Sequence, residues 1–366
     1  MSNKKKKDSA LHVSGGVPQP SSVNIQAIEN FRKSRKQMPS LEEFMDGITS
    51  GNRAFLSQAI TLIESALPEH QHLSQELIKR CLPLSGQSLR IGITGVPGAG
   101  KSTFIEVFGG FLTSKGHKLA VLAIDPSSER SGGSILGDKT RMETLSADEN
   151  AFIRPSPSGG TTGGVARKTR ESIILCEAAG YNTIFVETVG VGQSETAVHS
   201  MVDFFLLLMI PGAGDELQGM KRGIMEMADM LVINKDDGDT IPLAQKAKAQ
   251  YSNALHLFPL PPSGWAPAVL TCSALESSGL DEIWNKIGEY RSHVNESGFF
   301  TSRRSSQASY WMYQTLQEGL KQKFFNNPNV RKRLDELEQM MEKDEVTSFS
   351  AATELLEKFF PDHTEE

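Results

Sequence analysis

The chain has 366 residues, a formal net charge of −6, 38% hydrophobic residues and 22% charged residues. That length buries a real core, most simply one main domain with appendages, and the acidic balance argues against a protein that coats nucleic acid. Its 3 cysteines, Cys81, Cys176 and Cys272, lie far apart, which excludes a disulfide framework or a Cys-x-x-Cys metal site and fits small buried apolar residues in a reducing compartment.

In chain order, residues 1–23 are rich in Ser, Pro, Gly and Lys and predict a disordered tail, with Lys4 to Lys7 as its solvated basic tip. No apolar stretch of signal-peptide type follows those lysines, and the longest apolar run, Phe204 to Ile210, is too short to span a bilayer. A cytoplasmic chain without a membrane or nucleic-acid partner is therefore expected. Residues 24–84 have helical spacing: Phe55, Ala59, Leu62, Ile63 and Ala66 line one face, Pro68 breaks the helix, and another runs through Ile78.

Residues 85–297 alternate short β-rich runs with helical stretches. The runs LRIGIT, KLAVLAI, AFIRP, NTIFVE, DFFLLLMI, DMLVIN and PAVLTC, bounded by turn signals, predict a mostly parallel α/β sheet with helices on both faces. Residues 298–366 return to helix. Tyr313, Leu316, Leu320 and Phe324 make one apolar stripe, Leu334, Leu337 and Met341 a second, and Leu355, Leu356 and Phe359 close the chain. These stripes are too apolar for a solvated arm, and they pack either on the core or on a second subunit.

The first strong motif is Gly95-Val96-Pro97-Gly98-Ala99-Gly100-Lys101-Ser102, a G-x-x-x-x-G-K-[ST] loop after a predicted strand and before a predicted helix. Gly95, Gly98 and Gly100 let backbone N–H groups turn inward around phosphate oxygens at the positive end of that helix. Lys101 would neutralise the β and γ phosphates and the Ser102 hydroxyl would ligate Mg²⁺; Thr103 is a weaker candidate for the α phosphate. Asn234, Lys235 and Asp237 stand in Asn-Lys-x-Asp spacing at the end of another strand. A carboxylate at Asp237 can accept from guanine N1–H and N2–H₂ together, which adenine does not offer, while Asn234 braces the loop. Ser273, Ala274 and Leu275, after the next strand, suit the turn whose backbone reads guanine O6. GTP is favoured over ATP. Glu187-Thr-Val-Gly190 after a third strand supplies a γ-phosphate sensor, with the Gly190 N–H on the phosphate and Glu187 reaching Mg²⁺ through water. Gln193 is a doubtful water-positioning residue, and a capping or surface role is equally open.

The stretches AIDPSSERSGGSILGDKTRM, RPSPSGGTTGGVARKT, ETVGVGQSE, PGAGDELQGMKRGI and NKDDGD, with the P-loop, together resemble the MeaB/ArgK/MMAA family of P-loop GTPases over roughly residues 41 to 290. The resemblance implies a parallel-sheet P-loop GTPase core flanked by N-terminal and C-terminal helical extensions. It implies GTP hydrolysis to GDP and phosphate, coupled to chaperoning an adenosylcobalamin-dependent acyl-CoA mutase, typically methylmalonyl-CoA mutase. Homodimers held through the C-terminal helices are the family habit. It places Asp125, Asp138 and Glu187 around the metal beside Lys101 and Ser102, so that Lys101, Asp138 and Glu187 become the catalytic candidates. It also marks Pro211 to Lys221, with Asp215, Glu216 and Lys221, as a switch coupling nucleotide to partner. Read from their neighbours alone, Asp125 and Asp138 are turn formers, but Asp125 ends a strand on the edge where open α/β sheets bind ligands.

Rival readings are a metal-insertion GTPase for hydrogenase or urease, a kinase of a periplasmic transport protein, and a regulatory module whose hydrolysis is incidental. The 8 histidines are scattered without metal-ligand spacing, which weighs against the first. No acceptor-site base can be named for the second.

Overall fold

The seven apolar runs become seven strands in a computed structural model that describes residues 38–65, 67–124, 142–155, 162–188, 194–212 and 222–359. They are β1 (Leu89–Gly95), β2 (Leu119–Ile124), β3 (Ala151–Arg154), β4 (Thr183–Thr188), β5 (Phe204–Met209), β6 (Met230–Ile233) and β7 (Ala268–Thr271). Every residue of β2, β4, β5 and β6 is buried. Strands covered on both faces lose the in-out alternation of a half-exposed sheet, which is why they read as continuous apolar runs.

The sheet order is β3-β2-β4-β1-β5-β6-β7, and every neighbouring pair is parallel. From β1 the chain moves outward to β2 and β3, returns to β4 beside β1, then crosses to build β5, β6 and β7 on the other side. The carboxyl ends of β1 and β4 therefore flank the point where the winding reverses, the place where open α/β sheets bind ligands.

Helices cover both faces. On one side α4 (Lys101–Ser114), α5 (Glu143–Ala147), α9 (Ile241–Leu255) and α10 (Leu280–Glu296) pack on residues such as Ile91, Ile93, Phe185 and Leu206. On the other lie α1 (Leu41–Thr49), α2 (Arg53–Glu64), α3 (Pro68–Cys81), α6 (Thr162–Ala178) and α7 (Ser194–His199), against Ala120, Leu122, Ile184, Val186 and Phe205. The N-terminal helices thus share a core with the sheet rather than standing apart from it. The amino end of α2 is fixed by Asn52, whose side chain accepts from the Ala54 and Phe55 amides. Its buried face is Leu56, Ala59, Ile60, Leu62 and Ile63. Phe55, expected on that face, is half-buried and meets Phe44 edge-on at 6.4 Å, and Ala66 lies outside the described residues.

Beyond α8 (Arg222–Met227) and the sheet, the chain ends in α11 (Phe299–Phe325), α12 (Pro328–Glu342) and α13 (Ser348–Phe359). Val330, Leu337, Ala351 and Leu355 form a small core of their own, with Phe324 packed on it. Among the described residues the upper stripe of α11 is left largely exposed: Tyr313, Leu316 and Leu320 are 61%, 53% and 52% exposed.

A buried ionic network ties the amino ends of the strands to the helices. Arg304 of α11 donates to Asp203 through Nε (2.8 Å) and Nη2 (2.7 Å), and the second carboxylate oxygen also accepts from the Arg90 amide at 2.9 Å. Arg90 in turn forms two 3.0 Å bonds with Glu177 of α6. Asp203→Ala would leave the Arg304 guanidinium bonded only to the Gly86 and Ser88 carbonyls, without its carboxylate, and the Arg90 amide without its acceptor, so a loss of about 3–5 kcal/mol is expected in urea denaturation. His199 sits beside this network, accepting at Nε2 from Arg303 at 3.2 Å. Burial, aided by the Arg303 charge, pushes its pKa from 6.5 down to about 4. As pH falls below 6.5 the unfolded chain takes up a proton that the folded one refuses, so stability drops through the window from 6.5 to 4 and then levels. His199→Gln should flatten the pH dependence of the unfolding free energy across that window, by up to about 3 kcal/mol at its lower end, as urea denaturation at each pH would read.

Candidate nucleotide site

The loop from Gly95 to Ser102 leaves β1 at the winding reversal and enters α4. Gly100 caps the helix in the left-handed region, φ 80°, and a Cβ there would lie 3.0 Å from the Asn234 side-chain nitrogen, so both conformation and space favour glycine. Gly100 brings no capping side chain to the first amides of α4, which leaves them for whatever occupies the loop. Val96 and Ala99 are buried, whereas Pro97, Gly98 and Thr103 are exposed. Val96 and Ala99 therefore turn their side chains into the core and leave only backbone toward the loop.

Lys101 folds back over the loop, its Nζ donating to the Gly95 carbonyl at 2.9 Å. Burial lowers its pKa from the usual lysine value, opposed by the negative charges of the Glu187 and Glu195 carboxylates. Glu187, 4% exposed at the end of β4, sits in register with Ile93 of β1 and accepts from the Ser102 hydroxyl at 3.4 Å. The hydroxyl and carboxylate bring two hard oxygen donors together at the start of α4, a donor set that fits Mg²⁺ when phosphates and water complete its shell.

Asn234 joins three stretches. Its Nδ2 donates to the Ala99 carbonyl at 2.8 Å, and its Oδ1 accepts from the Ala274 amide at 3.0 Å. The P-loop, the Asn-Lys-x-Asp loop and the turn after β7 are thereby locked together around one side chain that is 2% exposed. The next residue, Lys235, has φ 64°, a strained conformation for a non-glycine that is typical of functional turns. Thr240 Oγ1 lies within hydrogen-bonding distance of the Lys235 and Asp237 carbonyls, which braces that turn. Asp237 Oδ2 accepts from the Ser273 hydroxyl at 2.5 Å. Leu275 is 82% exposed.

Among the expected site residues, the structure thus gathers Gly95 to Ser102 with Glu187, and Asn234 to Asp237 with Ser273 and Ala274. Asp125, Asp138, Gly190, Gln193, Asp215, Glu216 and Lys221 lie outside the described residues. One residue given no role from the sequence stands at the site, Thr240, and Glu195, 6% exposed in the first turn of α7, adds a charge that raises the Lys101 pKa. An acidic residue opening a helix reads as a complement to the helix dipole, which hides a second charge acting on Lys101.

A parallel sheet whose first strand feeds this glycine loop, linked through an asparagine to an Asn-Lys-x-Asp turn, defines a P-loop protein of the GTPase type. The chain belongs to the methylmalonyl Co-A mutase-associated GTPase MeaB family, whose sequence profile matches residues 56–329. It is 50% identical over 288 residues to GTPase ArgK of Escherichia coli, covering 79% of this chain and 87% of that protein. It is 45% identical over 340 residues to the mitochondrial methylmalonic aciduria type A homolog of Mus musculus, covering 90% and 82%. A crystal structure described as an LAO/AO transport system kinase superposes with a TM-score of 0.71 at 40% identity, covering 89% of this chain and all of that one. The family resemblance read from the motifs is borne out, and so is the P-loop α/β fold. No helix among the described residues is long and apolar enough to cross a membrane.

Proposed function

We propose that the chain is a Mg²⁺-dependent GTPase that chaperones an adenosylcobalamin-dependent methylmalonyl-CoA mutase, using nucleotide state to gate cofactor loading and protect the mutase. The observation that carries the GTPase reading is the Asn234 junction, which holds the phosphate loop and a guanine-selective carboxylate in one frame. Lys101 and the α4 amides take the β and γ phosphates, and Asp237 reads the base edge. Ser102 and Glu187 hold the metal, with Asp125 and Asp138 as further ligands. The metal supplies charge neutralisation at the phosphates. Gly190 senses the γ phosphate, and Asp215, Glu216 and Lys221 couple it to the partner. Support for the mutase as partner comes from the family and from the mouse relative.

The homodimer reading draws on the α11 stripe, since Tyr313, Leu316 and Leu320 form an apolar face exposed among the described residues. Division into an N-terminal helical region to residue 84, a GTPase domain to 297 and a C-terminal dimerisation region, in a cytoplasmic protein, completes the proposal. It is tested by pulling down purified methylmalonyl-CoA mutase with the chain loaded with GDP or with a non-hydrolysable GTP analogue. Nucleotide-dependent capture and faster GTP turnover on adding the mutase are expected; no capture in either state and unchanged turnover would remove the chaperone reading. The transport-kinase description of the solved relative gives the second reading, which would gain if labelled γ phosphate moved to a transport protein instead of into solution.

A further inference from the structure

Glu187 and Thr188 are neighbours at the end of β4, so their side chains leave on opposite faces of the sheet. Glu187 points to the α4 side, where it accepts from the Ser102 hydroxyl. Thr188 points to the other side, in line with Ile184 and Val186, and is 0% exposed. On β1 the same alternation puts Thr94 on that side with Gly92, where an added Cβ would lie 2.8 Å from Val198 Cγ1 of α7. Thr94 is 3% exposed, and Thr188 Oγ1 donates to Thr94 Oγ1 at 2.8 Å. Two buried hydroxyls set among apolar side chains thus satisfy one another.

This bond sits at a fork. Backbone pairing between β1 and β4 runs from Leu89 and Thr183 to Ile93 and Glu187. Thr94 and Thr188 come next, so their side chains add one more link where the main chains stop pairing. Past it β1 opens into the phosphate loop at Gly95, and β4 leads toward Gly190. The outer neighbours hold the two strands separately: β5 pairs with β1 as far as Gly95, and β2 pairs with β4 as far as Thr188. The threonine pair ties one strand to the other across the fork.

We infer that Thr188, held by Thr94, is a positioning residue for GTP hydrolysis, fixing the spacing between the root of the phosphate loop and the root of the γ-phosphate sensor. The inference rests on the GTP-site reading above. Glu187 is one residue before Thr188 and Gly190 two residues after it, so a shift of the β4 end moves both against a phosphate seated on Lys101. The phosphate loop runs from β1 into α4 and keeps its hold on the β phosphate that GDP and GTP share. The loss therefore falls on the step that needs both sides of the fork in place, and a small misplacement of such groups costs a large factor in rate.

The test compares four full-length chains: wild type, Thr188→Val, Thr188→Ser, and the double variant Thr94→Val with Thr188→Val. Each is read by single-turnover phosphate release at saturating GTP, by affinity for a fluorescent GDP, and by the urea midpoint. Thr188→Val leaves the Thr94 hydroxyl buried without a partner, so the midpoint should fall. Turnover should drop about tenfold or more while GDP affinity stays within about twofold. Thr188→Ser keeps the hydroxyl and should retain most of the turnover. In the double variant no hydroxyl is left unpaired, so the midpoint should return toward wild type, yet turnover should stay low because the directional bond is gone. A purely structural pair would instead recover turnover together with the midpoint, and that result overturns the inference. So does unchanged turnover in Thr188→Val, a parallel fall in its GDP affinity, or a loss in Thr188→Ser as deep as in Thr188→Val. No GTP turnover by a wild-type chain that binds GDP overturns the hydrolysis reading itself, and the inference with it.

Discussion

Lys101→Ala is expected to lower GTP turnover by about 10²–10³-fold, the usual cost of removing one preorganised electrostatic contact from a phosphoryl-transfer site. The reason lies in the geometry of the loop. Lys101 spans back to the Gly95 carbonyl and so stands over the cradle that the α4 amides enclose. Burial disfavours its charge, while Glu187 and Glu195 favour it, so the ammonium is held where phosphate charge gathers. Stability should also fall, though less than turnover, because the variant loses one hydrogen bond and the charge that offsets the buried Glu187 and Glu195 carboxylates. Phosphate release at saturating GTP, set beside the urea midpoint, checks both halves. A variant that folds normally and still turns over at the wild-type rate would detach Lys101 from the chemistry.

Asp237→Asn is the second large expected effect, and it changes selectivity as well as affinity. The carboxylate is oriented by the Ser273 hydroxyl on one oxygen, and Ser273 is itself fixed by the Glu276 amide at 3.0 Å. Such a carboxylate accepts from both N1–H and N2–H₂ of guanine. An amide meets the guanine amino group with a second donor, and two charged hydrogen bonds are lost or inverted. At about 1.5–3 kcal/mol for each, GTP affinity should fall by roughly 10²–10⁴. Xanthosine triphosphate, which offers a carbonyl where guanine has an amino group, should gain on GTP. Competition between the two nucleotides for a fluorescent GDP measures the exchange of preference. Unchanged preference for GTP would move base recognition away from Asp237.

Most of the frame that positions these residues was legible in the sequence for a physical reason. Strands buried on both faces must be apolar throughout, so LAVLAI and FFLLLM announce themselves. The P-loop and the Asn-Lys-x-Asp turn are contiguous, and their chemistry fixes their spacing. Contacts between distant residues left no such trace. Arg304 and Asp203 stand 101 residues apart, and nothing local in either neighbourhood reveals that a buried ion pair will form. Ser273 was expected to act through its backbone, yet its side chain orients Asp237. The α11 stripe shows the limit from the other side: spacing identifies Tyr313, Leu316 and Leu320 as one apolar face, but it does not say that this face stays exposed among the described residues.

The hairpin of α12 and α13 encloses its own small core, and the family profile ends at residue 329, two residues into α12. A segment whose apolar side chains mostly satisfy one another is a separate cooperative unit, so substitutions in it are felt locally and spare the folding energy of the sheet. That freedom lets the far end of the molecule be rewritten, residue by residue, to suit a different neighbour while the machinery around Lys101 and Asn234 stays as it is. Specialisation of family members would then accumulate in the hairpin, and the nucleotide chemistry would be inherited whole.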